Sequence, residues 1–481
     1  MKRHITFPFG AQGSAASHSN MSQDSKRRSR GIASATLTAI FAKGITLLVS
    51  AATVPITLRY LGSEGYGLWI TISSAATLFF LLDIGVANTL SNLISEAYSA
   101  GDKERAATYF ATAYWLVLGI STLLGLAGWA LWSHIPWASI FHVQNPALVH
   151  ETPHAVAAAF IVFLLALPIG LVTKVLGGYQ ELHASNLFAA AGSVLSLLAV
   201  ITVVYFHGSL TLLIAVFAGS SVAANAACLL WICLCAKPWM TPWPGRVDPA
   251  CIARIFRTGI QFFAIQLAGL IIFSCDNLII SHYLSPASVT PYAITWRLVG
   301  YATAAQTLIL PALWPAYSEA YANRDLPWIR LTYNRVRWIS IVALIAVCST
   351  ILFAGRNIIR IWAGPAAVPS NLLIQLMCIW VVICVFCTNQ SCLMGATFRV
   401  SKQAISSLLS AVVNLALSIL WIKTMGPAGV ILATIVSYLV FVVAVQSWEV
   451  KRILRGDFLT AEQPCCEPSS SAPASEFSPH V

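Results

Sequence analysis

The stretch "ISEAYSAGD", residues 94–102, is echoed by "YSEAYANRD" at residues 317–325. Glu96 and Glu319 stand 223 positions apart, and so do Asp102 and Asp325. The same offset joins "RYLG" at 59–62 to "HYLS" at 282–285, pairing Tyr60 with Tyr283. A weaker echo, its spacing slipped by a few residues, links "VLGGYQELHASN" (175–186) to "CLMGATFRVSKQ" (392–403). Three matches in order at nearly one offset read as an internal duplication.

The duplicated unit is a membrane unit. The chain has 481 residues, 58% hydrophobic and 9% charged, with mean hydropathy +0.77. A soluble surface needs far more charge. The apolar residues come in runs of about 20, enough to cross a bilayer core as helices. Lipid offers no partner to an unpaired backbone group, so these runs must be helical, and the short alternating segments of a β-barrel are missing. Twelve spans are predicted, at 32–57, 66–88, 109–132, 154–176, 186–206, 211–235, 256–281, 290–313, 336–355, 371–393, 403–423 and 427–447.

Charge gives these spans a direction. Of 28 Lys and Arg, 22 fall in the termini and even-numbered loops, four (Arg59, Arg356, Arg360, Lys423) in odd-numbered loops, and two (Lys43, Arg297) inside spans. That bias puts both termini in the cytoplasm. It also makes the net charge of +11 a matter of membrane sidedness rather than of nucleic acid. Six is even, so the two copies share one orientation and are related by a pseudo-two-fold along the membrane normal. The expected fold is an all-α membrane protein of two six-helix lobes, 31–235 and 256–450, joined by a Pro-containing basic linker at 236–255. Residues 1–30 read as a disordered basic tail without the apolar centre of a signal peptide, and 451–481 as a mostly disordered one. Most of the 12 Cys sit in apolar runs as small hydrophobes, Cys465 and Cys466 lie in the tail, and no spacing suits zinc. No metal or cofactor is expected.

Polar residues inside spans carry the functional reading. At the helical period, Thr36, Lys43, Thr46, Ser50, Thr53 and Thr57 share one face of helix 1. Lys43 lies about 18 Å from the cytoplasmic end of its predicted span, too far to snorkel, so it is expected to face an interior or aqueous cavity. Helix 7 carries Gln266, Gly269, Asp276 and Asn277, and the 223-residue offset pairs Gln266 with Lys43. Helix 8 carries Arg297, with Tyr301 about one turn on. Asp276 and Arg297 sit at similar depth on consecutive helices, which leaves two readings open: an ion pair, or a direct ligand or coupling role. Asp83, Glu96, Asp102, Glu319 and Asp325 fall at cytoplasmic helix ends and read as structural. The cavity candidates are therefore Lys43, Thr46, Ser50, Thr53, Gln266, Arg297 and Tyr301.

Several strings are similar to a known family. "LRYLGSEGYGLW" (58–69), "LLDIGVANTL" (81–90), "SEAYSAGD" (95–102), "QLAGLIIFSCDNLIISHYL" (266–284) and "ALWPAYSEAYANRD" (312–325) resemble bacterial polysaccharide and O-antigen flippases. These belong to the multidrug/oligosaccharidyl-lipid/polysaccharide (MOP) exporter superfamily. The resemblance covers nearly all of 31–450. It implies a multi-pass protein of the bacterial inner membrane that moves a polyprenyl-pyrophosphate-linked oligosaccharide between leaflets by alternating access. Its partners would be that lipid-linked oligosaccharide, membrane lipids and polysaccharide polymerase machinery. The family's cationic lumen fits Lys43 and Arg297, although neither is matched to an individual family position. The residues support the reading on their own terms: a pyrophosphate needs cationic or donor-rich lining, and the Thr/Ser stripe offers hydroxyls to sugar.

Three rivals stand beside it. A multidrug antiporter of the same superfamily would want acidic cavity residues, against Lys43. A peptidoglycan-precursor flippase would want two further helices. A glycan polymerase or ligase would want a large periplasmic loop bearing carboxylates, His or Arg. The longest such loop, 133–153, holds one Glu with His134, His142 and His150 scattered along it, which suits an interface better than a catalyst. The chain is expected not to be an enzyme.

Overall fold

The computed structural model describes residues 13–79, 85–179, 181–255, 275–303, 324–397 and 401–456, with single positions at 267, 306, 310, 313, 317, 320 and 321. Regular structure in these residues is helical throughout. In chain order the helices are α1 (Gly13–Phe79), α2 (Val86–Ser99), α3 (Lys103–Leu131), α4 (Pro146–Gly178), α5 (Leu182–Tyr205) and α6 (Leu210–Trp231). They continue with α7 (275–283), α8 (Pro286–Ala302), α9 (Leu326–Ala363), α10 (Asn371–Ala396), α11 (Ser401–Met425) and α12 (Pro427–Arg455). Among the described residues, nine helices are long and apolar enough to cross a membrane. One of them, Ile40–Thr77, takes in most of the first predicted span and about half of the second. The predicted spans 256–281 and 290–313 fall partly outside the described residues.

Helix α1 is two arms, not one rod. Gly62 breaks it with φ 70 and ψ 178, a backbone conformation open to a residue without a Cβ. Ser50 on the first arm is bonded to Tyr301, and Ile70 on the second lines a pocket with Arg297, one turn away on the same helix. A straight helix would hold Ser50 and Ile70 about 30 Å apart. The chain therefore folds back at Gly62 and the arms lie side by side. The turn is fixed by neighbours. Glu64 accepts from the backbone N–H groups of Gln144 and Asn145, at 2.8 and 3.1 Å, and the Tyr60 hydroxyl donates to the Gly208 carbonyl. The helix joints of this region thus gather at one end of the bundle, the Gly62 end, and Asp102 marks the opposite end.

Several helices outrun their predicted spans because hydropathy counts only the apolar part. Helix α2 reaches Ser99 rather than 88. Its polar-looking tail buries Val86, Leu90, Leu93, Ile94 and Ala97 along one face, as an amphipathic helix must. The 38 residues of α9 span about 57 Å, against about 30 Å of bilayer core. Helix α1 begins at Gly13, inside the stretch expected to be a disordered tail. No Pro lies between Pro8 and Pro55 to stop it.

The echoed motif has the same geometry twice. Gly101 and Arg324, one offset apart, both take left-handed backbone, with φ 69 and 58. The next residue in each copy, Asp102 or Asp325, donates its backbone N–H to the carbonyl of Ala97 or Ala320, at 3.0 and 2.9 Å. Each Asp carboxylate then caps the following helix, accepting from Arg105 N–H at 2.9 Å in one copy and Trp328 N–H at 3.1 Å in the other. The repeated letters are one helix stop and one helix start, written twice.

The stretch 236–255 is not a loose tether. Met240, Cys251 and Ile255 are buried against α2 and α3. Arg254 pairs with Glu96 at 2.8 Å, Lys237 pairs with Glu181 at 2.7 Å, and Trp115 donates to the Pro242 carbonyl at 3.0 Å.

Candidate functional site

The polar stripe of α1 is divided by depth. Thr53 and Thr57 are buried, and their hydroxyls donate to carbonyls one turn back, those of Val49 and Thr53, each at 2.8 Å. Such self-bonding removes Thr53 from the cavity candidates' pool of free donors. Ser50 accepts from the Tyr301 hydroxyl at 3.1 Å, which brings two candidates together across α1 and α8. Thr46 and Lys43 are exposed. Thr46 donates to the Ala42 carbonyl at 2.9 Å and lies 3.3 Å from the Ser193 hydroxyl. Lys43 has no hydrogen-bond or ion-pair partner among the described residues.

The first arm runs on to Gly62, and Lys43 lies 19 residues, about 28 Å, from the turn.

Between the second arm of α1 and α7–α8 lies a polar chamber of about 190 Å³. Ile70 faces it from α1. Asp276 and Asn277 come from α7, and Tyr292, Trp296 and Arg297 from α8. Asp276 and Arg297 share this chamber but form no ion pair. The Asp276 carboxylate instead accepts from the Tyr292 hydroxyl at 2.5 Å, and Asp276 is 2% exposed. The ion-pair reading, one of the two left open, rested on equal depth, but a helix turns 100° per residue, and the azimuth hands Asp276 to Tyr292. The second Asp276 oxygen, Oδ1, is buried with no donor among the described residues, and so is Asn277 Oδ1, whose amide nitrogen donates to Ser74 Oγ at 2.9 Å. The Arg297 guanidinium has no carboxylate or other hydrogen-bond partner among the described residues. Tyr292 stacks on Trp296, and Trp296 on Trp380, with interplanar angles of 15° and 23°.

Among the described residues, six side-chain hydrogen bonds join the first half of the chain to the second. Three lie at the Gly62 end: Ser281 to the Phe141 carbonyl at 3.0 Å, His282 to that of Ile140 at 2.9 Å, and Thr290 to that of Ser63 at 2.6 Å. Two lie about 16–18 Å inward by helical rise, Trp362 to the Ala51 carbonyl at 2.8 Å and Tyr301 to Ser50, and the third, Asn277 to Ser74, starts one turn from Ser281 on α7. The chamber sits between these layers. His142, from the loop read as interfacial, meets His282 edge-on at 5.6 Å.

The structural candidates do structural work where they are described. Glu96 pairs with Arg254 and, at 3.5 Å, with Arg105; Asp102 and Asp325 are helix caps. Asp83, Gln266 and Glu319 lie outside the described residues. Sequence reasoning did not select Tyr292 or Trp296 for the site. Tyr292, Trp296 and Arg297 follow the helical spacing of one face of α8, so Arg297 was the signal that pointed to them. Among the described residues no cluster of His, Cys, Asp or Glu has the arrangement of a metal site.

A family model described as "Polysaccharide biosynthesis protein" matches residues 32–320. A Salmonella typhimurium protein named "Putative O-antigen transporter" is 23% identical over 403 residues, covering 81% of this chain and 89% of its own. A multidrug resistance MATE family transporter of the MOP superfamily, solved in an inward-facing conformation, superposes with TM-score 0.70 at 15% identity over 89% of this chain and 96% of that one. A MOP superfamily transporter from Pyrococcus furiosus Vc1 gives TM-score 0.59 at 16% identity over 88% and 94%. The model match over more than half of the chain, on a helical fold shared with MOP superfamily transporters, makes this protein a member of the polysaccharide biosynthesis protein family.

Proposed function

We propose that this chain is a flippase that carries a polyprenyl-pyrophosphate-linked oligosaccharide from the cytoplasmic to the periplasmic leaflet of a bacterial inner membrane. The observation that carries the reading is Arg297, an unpaired guanidinium in a chamber between the two halves of the chain. An intramembrane cation without a carboxylate is costly to keep, and a pyrophosphate would complete it. Lys43, exposed about 28 Å from the Gly62 turn, fits an entry point for the same anion. The name of the Salmonella relative supports polysaccharide cargo, and the family membership agrees with it.

In this reading the chain forms twelve spans. The two arms of α1 count separately, and the spans at 256–281 and 290–313 complete the second lobe. The repeated cap at Asp102 and Asp325 supports duplication into two six-helix lobes, and the Lys/Arg bias supports cytoplasmic termini. The Gly62 end is then periplasmic, and alternating access breaks and remakes the bonds that join the halves there. Polymerase machinery would receive the cargo.

One observation favours the cation-coupled antiporter: Asp276 is a buried carboxylate in the same chamber. The deciding experiment uses cells lacking the gene. Polyprenyl-linked glycans are extracted and their leaflet determined. Completed repeat units trapped on the cytoplasmic face support the flippase and, by mass spectrometry, name the cargo. Units that reach the periplasm but stay unpolymerised or unligated would make the protein an assembly factor. No change in any glycan lipid would move the antiporter to the front.

A further inference from the structure

We propose that Asp276 and Asn277 form a sugar-reading wall in the chamber, accepting hydrogen bonds from hydroxyl or amide N–H donors of one sugar ring of the cargo. This rests on the flippase reading and goes beyond it, because it assigns a second subsite and says which groups the sugar must present.

The argument starts from what is left unmade. A buried acceptor without a donor forfeits the hydrogen bond it had with water, and native structures rarely leave such atoms. Here two lie on adjacent residues of α7: Asp276 Oδ1 and Asn277 Oδ1. Both residues line the same chamber. Their other polar atoms are already committed. Tyr292 holds Asp276 Oδ2, and Ser74 accepts from the Asn277 amide nitrogen. Those two bonds fix the side-chain rotamers, so the free oxygens are held in place before a ligand arrives. Arg297 cannot serve them, since it makes no ion pair with Asp276. What is missing is a ligand that brings two or more donors.

The chemistry of the chamber is therefore two-sided. The Arg297 guanidinium offers donors to an anion, while Asp276 and Asn277 offer acceptors to a donor-rich group. A bare pyrophosphate supplies only acceptors and an isoprenoid chain supplies neither, so neither fills the acceptor side. A sugar ring carries several hydroxyls as donors. The volume, about 190 Å³, is below the roughly 300–1,000 Å³ of pockets for larger small molecules, which suits one ring rather than a whole repeat unit.

The test uses the purified full-length protein and two probes. One is farnesyl pyrophosphate, an isoprenyl pyrophosphate without sugar. The other is the glycan-bearing polyprenyl pyrophosphate fraction extracted from cells lacking the gene. Binding is read from quenching of tryptophan fluorescence, with thermal unfolding as a check on folding. Asn277→Ala is expected to weaken the glycan-bearing probe by about three- to ten-fold and to leave farnesyl pyrophosphate within two-fold. Asp276→Leu keeps a similar side-chain shape but removes both acceptor oxygens, and should behave the same way if Asp276→Ala fails to fold. Arg297→Gln is expected to weaken both probes. The proposal is overturned if Asn277→Ala and Asp276→Leu, both folded by thermal unfolding, bind both probes as the wild type does, or weaken both equally. Unchanged binding with a lost pH dependence of transport would assign Asp276 to proton coupling and also overturn it. Failure of the wild-type protein to bind either probe would instead remove the flippase reading on which the proposal stands.

Discussion

At Gly67 the first half of the chain packs directly against the start of α8, and replacing it with Ala should pry the two apart. A Cβ at this position would lie 1.7 Å from the Pro286 carbonyl oxygen, 2.5 Å from its carbon and 3.2 Å from Thr290 Oγ1. Both of the nearest atoms are backbone at the start of α8 and cannot swing aside. For an ordinary contact near 3.5 Å, α8 must retreat by roughly 1.8 Å. That shift also stretches the Thr290 bond to the Ser63 carbonyl, now 2.6 Å. Overpacking of this kind costs about 1–3 kcal/mol and a lost hydrogen bond about 0.5–1.5 kcal/mol. Together they come to about 1.5–4.5 kcal/mol, a factor of about 10 to 2,000 in the ratio of closed to open forms. The assay is maleimide labelling of Ser63→Cys in purified protein whose exposed Cys235 and tail residues Cys465 and Cys466 have been replaced. The labelling rate should rise at least about ten-fold in the Gly67→Ala background, with a thermal scan to separate opening from unfolding. Equal labelling rates and full transport in both backgrounds would refute the view that α8 is held against the Gly62 turn.

Three further outcomes are expected. Arg297→Ala and Lys43→Ala should each lose glycan export while inserting normally in the membrane; normal export by both variants would remove the cationic path. Asp102→Ala and Asp325→Ala should each cost about 1 kcal/mol in thermal unfolding, and Asn at either position should restore most of it, since both caps use a side-chain oxygen. The Cys251 thiol, in the linker, is pushed up to about 11, first by burial and then by its bond to Asp248. Only the thiolate alkylates, so iodoacetamide should modify Cys251 far more slowly than exposed Cys235 at pH 8, and the rate should climb steeply as pH approaches 11.

What the sequence made legible was local chemistry repeated in order. The cap at Asp102 and Asp325 depends on a few neighbouring residues, so identical letters produced identical backbone turns, even with Arg324 where the first copy has Gly101. Hydropathy found the apolar centres of the helices. It did not find their ends, because α2 and α9 continue as amphipathic or exposed helix beyond the apolar run. The chamber was half legible. Arg297, Tyr301, Asp276 and Ser50 stand out as polar residues in apolar runs, and the structure gathers them around α8. Their partners did not stand out, because the Tyr292 contact to Asp276 and the Ser74 contact to Asn277 depend on how helices are rotated against each other.

The six bonds that join the halves have a direction. Every donor belongs to the second half of the chain: Asn277, Ser281, His282, Thr290, Tyr301 and Trp362. Four of the acceptors are backbone carbonyls of the first half, and a carbonyl is present whatever side chain a position carries. Substitution can therefore weaken or strengthen this seam readily from one side only. The first half offers a fixed template in the shape of its backbone, while the second holds the adjustable part. Relatives that must open at different rates, or for bulkier loads, would be expected to diverge at these donor positions and to keep the opposing backbone path unchanged.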